Sequence, residues 1–206
     1  MLEIGVEKAS KRFQYEWIFK ELSLLLKPKD QLAITGSNGS GKSTLLKCLT
    51  GSIPLTSGKI NFNFAGKNVD EGDWFRYLSI AAPYLELPEE FTLEELIQFH
   101  FRFKQPIDGM MPEEIIRLAY LEEHSQKMVS QFSSGMKQRL KLILAMISDV
   151  GIVFLDEPTS NLDIRGIDWY REMIKKFQGD KILVICSNEP REFDFCEQKL
   201  VLENYK

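Results

Sequence analysis

The sequence predicts an α/β fold: a mostly parallel sheet, an N-terminal antiparallel β subdomain and an inserted α-helical subdomain. Three patterns predict it. Gln31 to Thr35, Ile152 to Leu155 and Ile182 to Cys186 are short, nearly continuous apolar runs followed by polar turns, as parallel strands buried on both faces require. Leu2, Ile4 and Val6 alternate with Glu3, Gly5 and Glu7, and Ile60, Phe62 and Phe64 alternate with polar residues, as in half-buried antiparallel strands. Between Tyr84 and Ser148 the period becomes helical: Leu93, Leu96, Ile97, His100 and Phe101 share one face, and so do Leu140, Ile143, Leu144 and Ile147.

These elements divide the chain into a core of residues 1–83 and 149–206 and a helical subdomain of residues 84–148, within a single domain of residues 1–206. Pro83, Pro88, Pro106 and Pro112 punctuate the helical part, and Thr92 and Ser134 stand near helix starts. With 206 residues, 44% hydrophobic and 27% charged, the chain can bury a substantial core, which excludes disorder. A net charge of −4, with no block of five Lys or Arg, argues against direct nucleic-acid binding. Cys48, Cys186 and Cys196 are too few and too irregularly spaced for a disulfide frame or a zinc site, so a reducing cytoplasm is expected. Met1–Glu7 carries two acids where an export signal needs a positive region and then an apolar run, so export is not expected. The most apolar window, Leu142 to Leu155, is interrupted by Ser148 and Asp149 and falls short of the roughly 20 residues of a membrane span.

The run Leu32-Ala33-Ile34-Thr35 leads directly into Gly36-Ser37-Asn38-Gly39-Ser40-Gly41-Lys42-Ser43-Thr44, and Leu45-Leu46-Lys47-Cys48-Leu49 continues as a helix. Strand, glycine-rich loop and helix start form the context in which backbone N–H groups and a helix dipole cradle phosphates. In such a loop Lys42 reaches the β- and γ-phosphates and Ser43 supplies a hydroxyl to Mg²⁺. The strand Ile152–Leu155 ends in Asp156 and Glu157, whose side chains face opposite ways and so take different roles. Asp156 is the candidate Mg²⁺ partner. Glu157 is the candidate base that orients and deprotonates the attacking water.

Phe132-Ser133-Ser134-Gly135-Met136-Lys137-Gln138-Arg139 precedes the second apolar-faced helix, and Asp156-Glu157-Pro158-Thr159-Ser160-Asn161-Leu162-Asp163 follows it. With the phosphate loop upstream, the chain closely resembles an ATP-binding-cassette nucleotide-binding subunit. The resemblance includes Lys11-Arg12-Phe13 and the turn Pro54–Ile60, and it covers essentially the whole chain. It implies ATP and Mg²⁺ as ligands, with ATP clamped in a head-to-tail dimer between the phosphate loop of one subunit and the signature helix of the other. Ser133 and Gly135 match the LSGGQ signature, while Phe132, Ser134 and Met136 replace its Leu, first Gly and Gln. By the same resemblance Ser133, Ser134, Gly135 and Asp163 meet the nucleotide across the dimer. Phe13 takes the place of the aromatic that stacks on adenine, although Tyr15 and Trp17 compete and a core Phe is the alternative.

Two positions depart from the family. Pro83 stands where a Gln touches Mg²⁺ and senses the membrane partner, and it has no side-chain donor or acceptor. Asn188 stands where a switch His contacts the γ-phosphate; an amide still donates but carries no charge. These changes lead us to expect intact ATP binding and slower turnover than is usual in the family. His100, His124 and Cys48 read as packed residues rather than ligands.

The resemblance implies an ATP-hydrolysing motor that powers separate transmembrane permease subunits. It would work as a homodimer, or as a heterodimer with another cassette, peripheral on the cytoplasmic face of the membrane. The short chain is similar to stand-alone exporter-type subunits, including the haem-exporter ATP-binding subunit. A binding-only cassette with an active partner and a soluble non-transport ATPase are the alternatives. A phosphate-loop kinase or GTPase is opposed by the Ser133–Arg139 segment and the Asp156-Glu157 pair.

Overall fold

The structure is a computed structural model that describes residues 1–206. From the N-terminus come strands β1 (Leu2–Phe13), β2 (Glu16–Leu26) and β3 (Gln31–Thr35), helix α1 (Lys42–Leu49), and strands β4 (Ser57–Phe64), β5 (Lys67–Val69) and β6 (Leu78–Ala81). Helices α2 (Leu93–His100), α3 (Pro112–Leu118) and α4 (Ser134–Ile147) follow. The chain then returns to β7 (Ile152–Asp156), α5 (Ile164–Phe177), β8 (Ile182–Cys186) and β9 (Gln198–Val201).

One sheet has the order β2-β1-β4-β5 and is antiparallel throughout; the other has the order β6-β7-β8-β3-β9 and is parallel throughout. The expected alternation at Leu2–Val6 and Ile60–Phe64 thus becomes the β1–β4 pair, with Ile4 opposite Phe62. Strand β2 is a further member that simple alternation does not reveal. Register shifts along the β1–β2 ladder break its period, and Ile18 is left as the extra residue between the pairs Lys11–Phe19 and Arg12–Trp17.

The parallel strands are buried on both faces. Ile152 and Phe154 pack with α1 and the antiparallel sheet, against Ile4, Phe19 and Phe62, while Val153 and Leu155 pack with α4 and α5. The same alternation divides Ile182, Val184 and Cys186 from Leu183 and Ile185. Phe154 is fully buried, and truncating it to Ala would cost about 3–5 kcal/mol. Every strand of this sheet runs the same way, so the ends of β6, β7, β8 and β3 lie side by side along one edge.

Within residues 84–148, α2 and α3 are short, α4 spans 14 residues, and irregular chain with single 3₁₀ turns separates them. Thr92 caps α2 through a reciprocal box: the Glu95 N–H donates to Thr92 Oγ1 at 3.3 Å and the Thr92 N–H donates to Glu95 Oε2 at 2.8 Å. Helix α4 starts at Ser134, as expected, and is capped by Ser133, whose Oγ accepts from the Met136 N–H at 3.2 Å. The apolar window Leu142–Leu155 is the end of α4 followed by β7, and no helix is long and apolar enough to cross a membrane.

His100 and Cys48 are packed as expected. His100 Nε2 lies 3.0 Å from Ser148 Oγ, whose own hydrogen goes to Leu144 O at 2.7 Å, so the ring nitrogen is the donor. Burial lowers the His100 pKa to about 4, with Lys104 adding to the shift. Cys48 is buried, which raises its thiol pKa to about 11.

Candidate functional site

The functional candidates of the core gather at the carboxyl edge of the parallel sheet, where open α/β sheets bind ligands. Strand β6 delivers Pro83 and Tyr84, β7 delivers Asp156 and Glu157, β8 delivers Asn188, and β3 delivers the phosphate loop. The site is therefore a product of topology. Residues far apart in sequence reach it because their strands are neighbours.

Residues Gly36 to Gly41 form the loop, and α1 begins at Lys42 without a side-chain cap. The first N–H groups of the helix, at Lys42, Ser43 and Thr44, are left free for an anion. Gly41 has φ +107°, and a Cβ there would stand 2.2 Å from Ile18 Cγ2, so only glycine fits beneath the hairpin of β1 and β2. Lys42 is buried, with Nζ donating to Gly36 O at 2.7 Å and Ser37 O at 3.1 Å. Ser40 is also buried and its Oγ has no hydrogen-bond partner. The Ser37 N–H and Oγ both meet the Glu203 carboxylate, at 2.5 and 3.0 Å.

Asp156 lies on the same face of β7 as Ile152 and Phe154, which turns it toward α1. It is 1% exposed, and its Oδ1 has no hydrogen-bond partner. Burial raises its carboxyl pKa; the Ser43 side chain beside it opposes that shift, Glu157 adds to it, and Lys42 and Lys47 oppose it. A buried carboxylate with a spare oxygen next to a hydroxyl fits a divalent cation, which satisfies both. No group of three or more His, Cys, Asp or Glu side chains could hold a metal by itself.

Glu157 is exposed and has φ +44°, a left-handed conformation unusual for a residue with a side chain. Its N–H donates to Cys186 O at 2.9 Å, and its carbonyl accepts from Ser160 N and Oγ. The bend takes the Glu157 side chain out of the strand and into solvent beside Asp156. On the other side of β7, Asn188 Nδ2 donates to Asn38 Oδ1 at 2.8 Å, and its Oδ1 accepts from the Gly36 N–H at 3.3 Å. Pro83 is exposed in a turn whose start is held by Lys141 Nζ on Ala82 O at 3.1 Å. Tyr84, which the sequence patterns did not single out, has Lys47 Nζ 4.0 Å from its ring centre. Burial, then Asp156 and Cys186, push its phenol upward.

Ser133, Ser134, Gly135 and Asp163 lie in a second cleft of about 660 Å³, which Met136, Arg139, Asn161 and Arg165 also line. The structure brings these four together, apart from the phosphate loop of the same chain. Asp163 caps α5, its Oδ1 accepting from the Gly166 N–H at 2.8 Å. Buried Gln138, on the helix that Ser134 begins, donates from Nε2 to Pro158 O at 2.7 Å, just after Glu157. Phe13 is 49% exposed at the tip of the β1–β2 hairpin, which corrects the alternative of a core Phe: β1 ends there, beyond the packed part of the sheet. Lys11 Nζ lies 4.9 Å from its ring centre, Tyr15 is 96% exposed, and Trp17 is flanked by Arg12 and Lys20.

A family model described as ABC transporter matches residues 19–160. The lantibiotic transport ATP-binding protein SrtF of Streptococcus pyogenes is 30% identical over 90% of this chain and 79% of its own length. ABC transporter A family member 1 of Dictyostelium discoideum is 29% identical over 90% of the chain, which spans only 21% of that protein. A solved dimer of an ATP-binding cassette in a post-hydrolysis state, bound to ADP and Pi, has a TM-score of 0.81 at 21% identity and covers 97% of this chain and 94% of its own. That likeness carries the fold, in agreement with the two sheets and inserted helices. The family match and the extent of the SrtF alignment carry the assignment: the chain belongs to the ABC transporter family, as an ATP-binding cassette.

Proposed function

We propose that this chain binds and hydrolyses ATP as the motor subunit of a transporter whose membrane-spanning parts are separate polypeptides. The observation that carries this is the buried, half-satisfied carboxylate of Asp156 beside Ser43, with Glu157 bent out of the strand next to it. Residues 1–83 and 149–206 form the nucleotide-binding core, and residues 84–148 form the helical subdomain.

In this reading Gly36, Ser37, Asn38, Gly39, Ser40 and Gly41 shape the cradle, and the N–H groups of Lys42, Ser43 and Thr44 meet phosphate oxygens. Lys42 leaves its two carbonyl partners for the β- and γ-phosphates. Ser43 and Asp156 hold Mg²⁺, which supplies charge neutralisation at the phosphates. Glu157 orients a water in line with the γ-phosphate and accepts its proton, and Asn188 donates from Nδ2 to a γ-phosphate oxygen. Phe13 offers its exposed ring to adenine. Ser133, Ser134, Gly135 and Asp163 act on the ATP of a second cassette, a copy of this chain or a related one, because their cleft lies apart from the phosphate loop.

Closure on ATP and opening after loss of the γ-phosphate contacts would drive the permease by differential affinity. The surface offered to such a partner is a groove of about 420 Å³ beside β6 and α2, where Phe75, Leu85, Phe99 and Phe103 are exposed. The subunit then works at the cytoplasmic face of the membrane. The test is MgATP hydrolysis by the purified chain beside Lys42→Ala. The proposal expects turnover and nucleotide affinity to fall together in the variant; equal turnover in both proteins would refute it.

A further inference from the structure

Strands β3 and β9 are parallel neighbours, with Thr35 opposite Val201. Both chains leave the sheet at the same edge, so the phosphate loop emerges from one and a single 3₁₀ turn, Leu202–Tyr205, from the other. Leu202 is fully buried with Leu45 and Leu49 of α1 and anchors that turn. Glu203, the next residue, lies against the elbow of the loop. Its Oε1 accepts from the Ser37 N–H at 2.5 Å and from Ser37 Oγ at 3.0 Å. A Cβ on Gly36 would stand 2.6 Å from the other carboxylate oxygen, so the fit is close. Lys206 Nζ donates to Ser40 O at 2.9 Å, three residues further along the loop.

We propose that Leu202–Lys206 is a strap that presets the phosphate loop, with Glu203 as a positioning residue for nucleotide binding. Lys42 Nζ holds the Gly36–Ser37 elbow through its two carbonyls. When Lys42 turns to phosphate those bonds are lost. The elbow is then held by the groups that do not move to the ligand, and Glu203 makes the charge-assisted bond among them. The bond is reciprocal: the Ser37 N–H holds the Glu203 carboxyl below the usual carboxylate range, with Lys42 acting in the same direction. The strap thereby lowers the ordering needed at the loop on binding, which is a gain in affinity by preorganisation.

This inference rests on the reading of the loop as a nucleotide site, and the experiment separates the two. MgATP affinity, measured with a fluorescent analogue and by competition with ATP, is compared for the wild-type chain, Glu203→Ala, Glu203→Gln and Lys206→Ala. The wild-type protein is expected to bind; failure there would refute the nucleotide site itself. Glu203→Ala is expected to weaken binding about tenfold, with kcat at saturating MgATP within about twofold. Glu203→Gln keeps an acceptor for the Ser37 N–H and is expected to recover most of that loss. Lys206→Ala is expected to weaken binding about threefold, and the exposed positions of both residues predict unchanged melting temperatures. Unaltered affinity in Glu203→Ala would overturn the strap. Tighter binding in that variant would overturn it too, because the carboxylate would then be competing with phosphate rather than holding the loop.

Discussion

The side-chain amide of Asn188 donates from Nδ2 to Asn38 Oδ1 at 2.8 Å, which ties the turn after β8 to the phosphate loop. An amide orients without titrating, so this link holds across the working pH range. Asn188→Ala is expected to lower kcat about 100-fold while leaving the melting temperature unchanged, since the residue is exposed. Steady-state hydrolysis and a melt on the same samples check both parts. The wild-type pH–rate profile is also expected to lack the limb near pH 6.5 that a catalytic imidazole would produce.

Asp156→Asn tests the proposed metal site separately from the nucleotide site. The substitution keeps the volume and removes a charge that burial disfavours, so the metal-free protein is expected to gain about 1 kcal/mol of stability. Nucleotide binding in EDTA is expected to stay within about twofold of wild type, while the strengthening that Mg²⁺ gives is lost. Titration of a fluorescent nucleotide with and without Mg²⁺ reads the effect directly, without relying on turnover.

His100 makes stability depend on pH with a definite sign. Its pKa is about 4 in the folded chain against an ordinary 6.5, so between those values the unfolded chain binds the proton and the folded chain does not. The contribution is fully present above pH 6.5 and is lost as pH falls toward 4, by at most about 3 kcal/mol. His100→Gln keeps a donor for Ser148 Oγ and does not titrate. Urea unfolding at pH 7 and pH 4.5 is expected to show a smaller loss in this variant than in wild type; equal losses would refute the assignment.

Glu192 links the turn after β8 to the loop after Glu157. Its buried Oε1 accepts from the Thr159 N–H at 2.7 Å and from Thr159 Oγ1, while its carbonyl accepts from the Tyr170 hydroxyl at 2.9 Å. Glu192→Ala leaves the Thr159 N–H without its acceptor and is expected to cost about 2–3 kcal/mol. Glu192→Gln keeps an acceptor and is expected to cost less. Amide exchange at Thr159 should accelerate in the Ala variant before global unfolding does.

Much of this architecture is legible in the sequence because its determinants are local. Thr35–Thr44, Phe132–Arg139 and Asp156–Asp163 are contiguous segments, and the two-faced strands around Phe154 and Val184 show as unbroken apolar runs. What the patterns hid depends on pairing across the chain. The β1–β2 ladder shifts register, so β2 loses its period, and β9 is a short edge strand with one buried residue. Glu203 acquires its role from the parallel pairing of β9 with β3, 166 residues from Ser37 in sequence. Gln138 offered a weak signal, a buried amide on the apolar-faced helix α4, and its partner Pro158 appears only once α4 packs beside β7. The start of α4 at Ser134 was legible, whereas the choice of Ser133 as its cap was not, because two adjacent serines offer the same chemistry and only the backbone turn selects between them.

The most direct test of the whole account is Glu157→Gln. The substitution removes the carboxylate proposed as proton acceptor and leaves Lys42, Ser43, Asp156 and the signature cleft untouched. Sizing of the purified variant with MgATP, alongside wild type and with hydrolysis measured in the same samples, reads both clamp and chemistry. The account predicts that the variant loses turnover and accumulates as an ATP-bound dimer, while wild type hydrolyses and returns to monomer. A variant that hydrolyses at the wild-type rate, or that binds MgATP and stays monomeric, would contradict it.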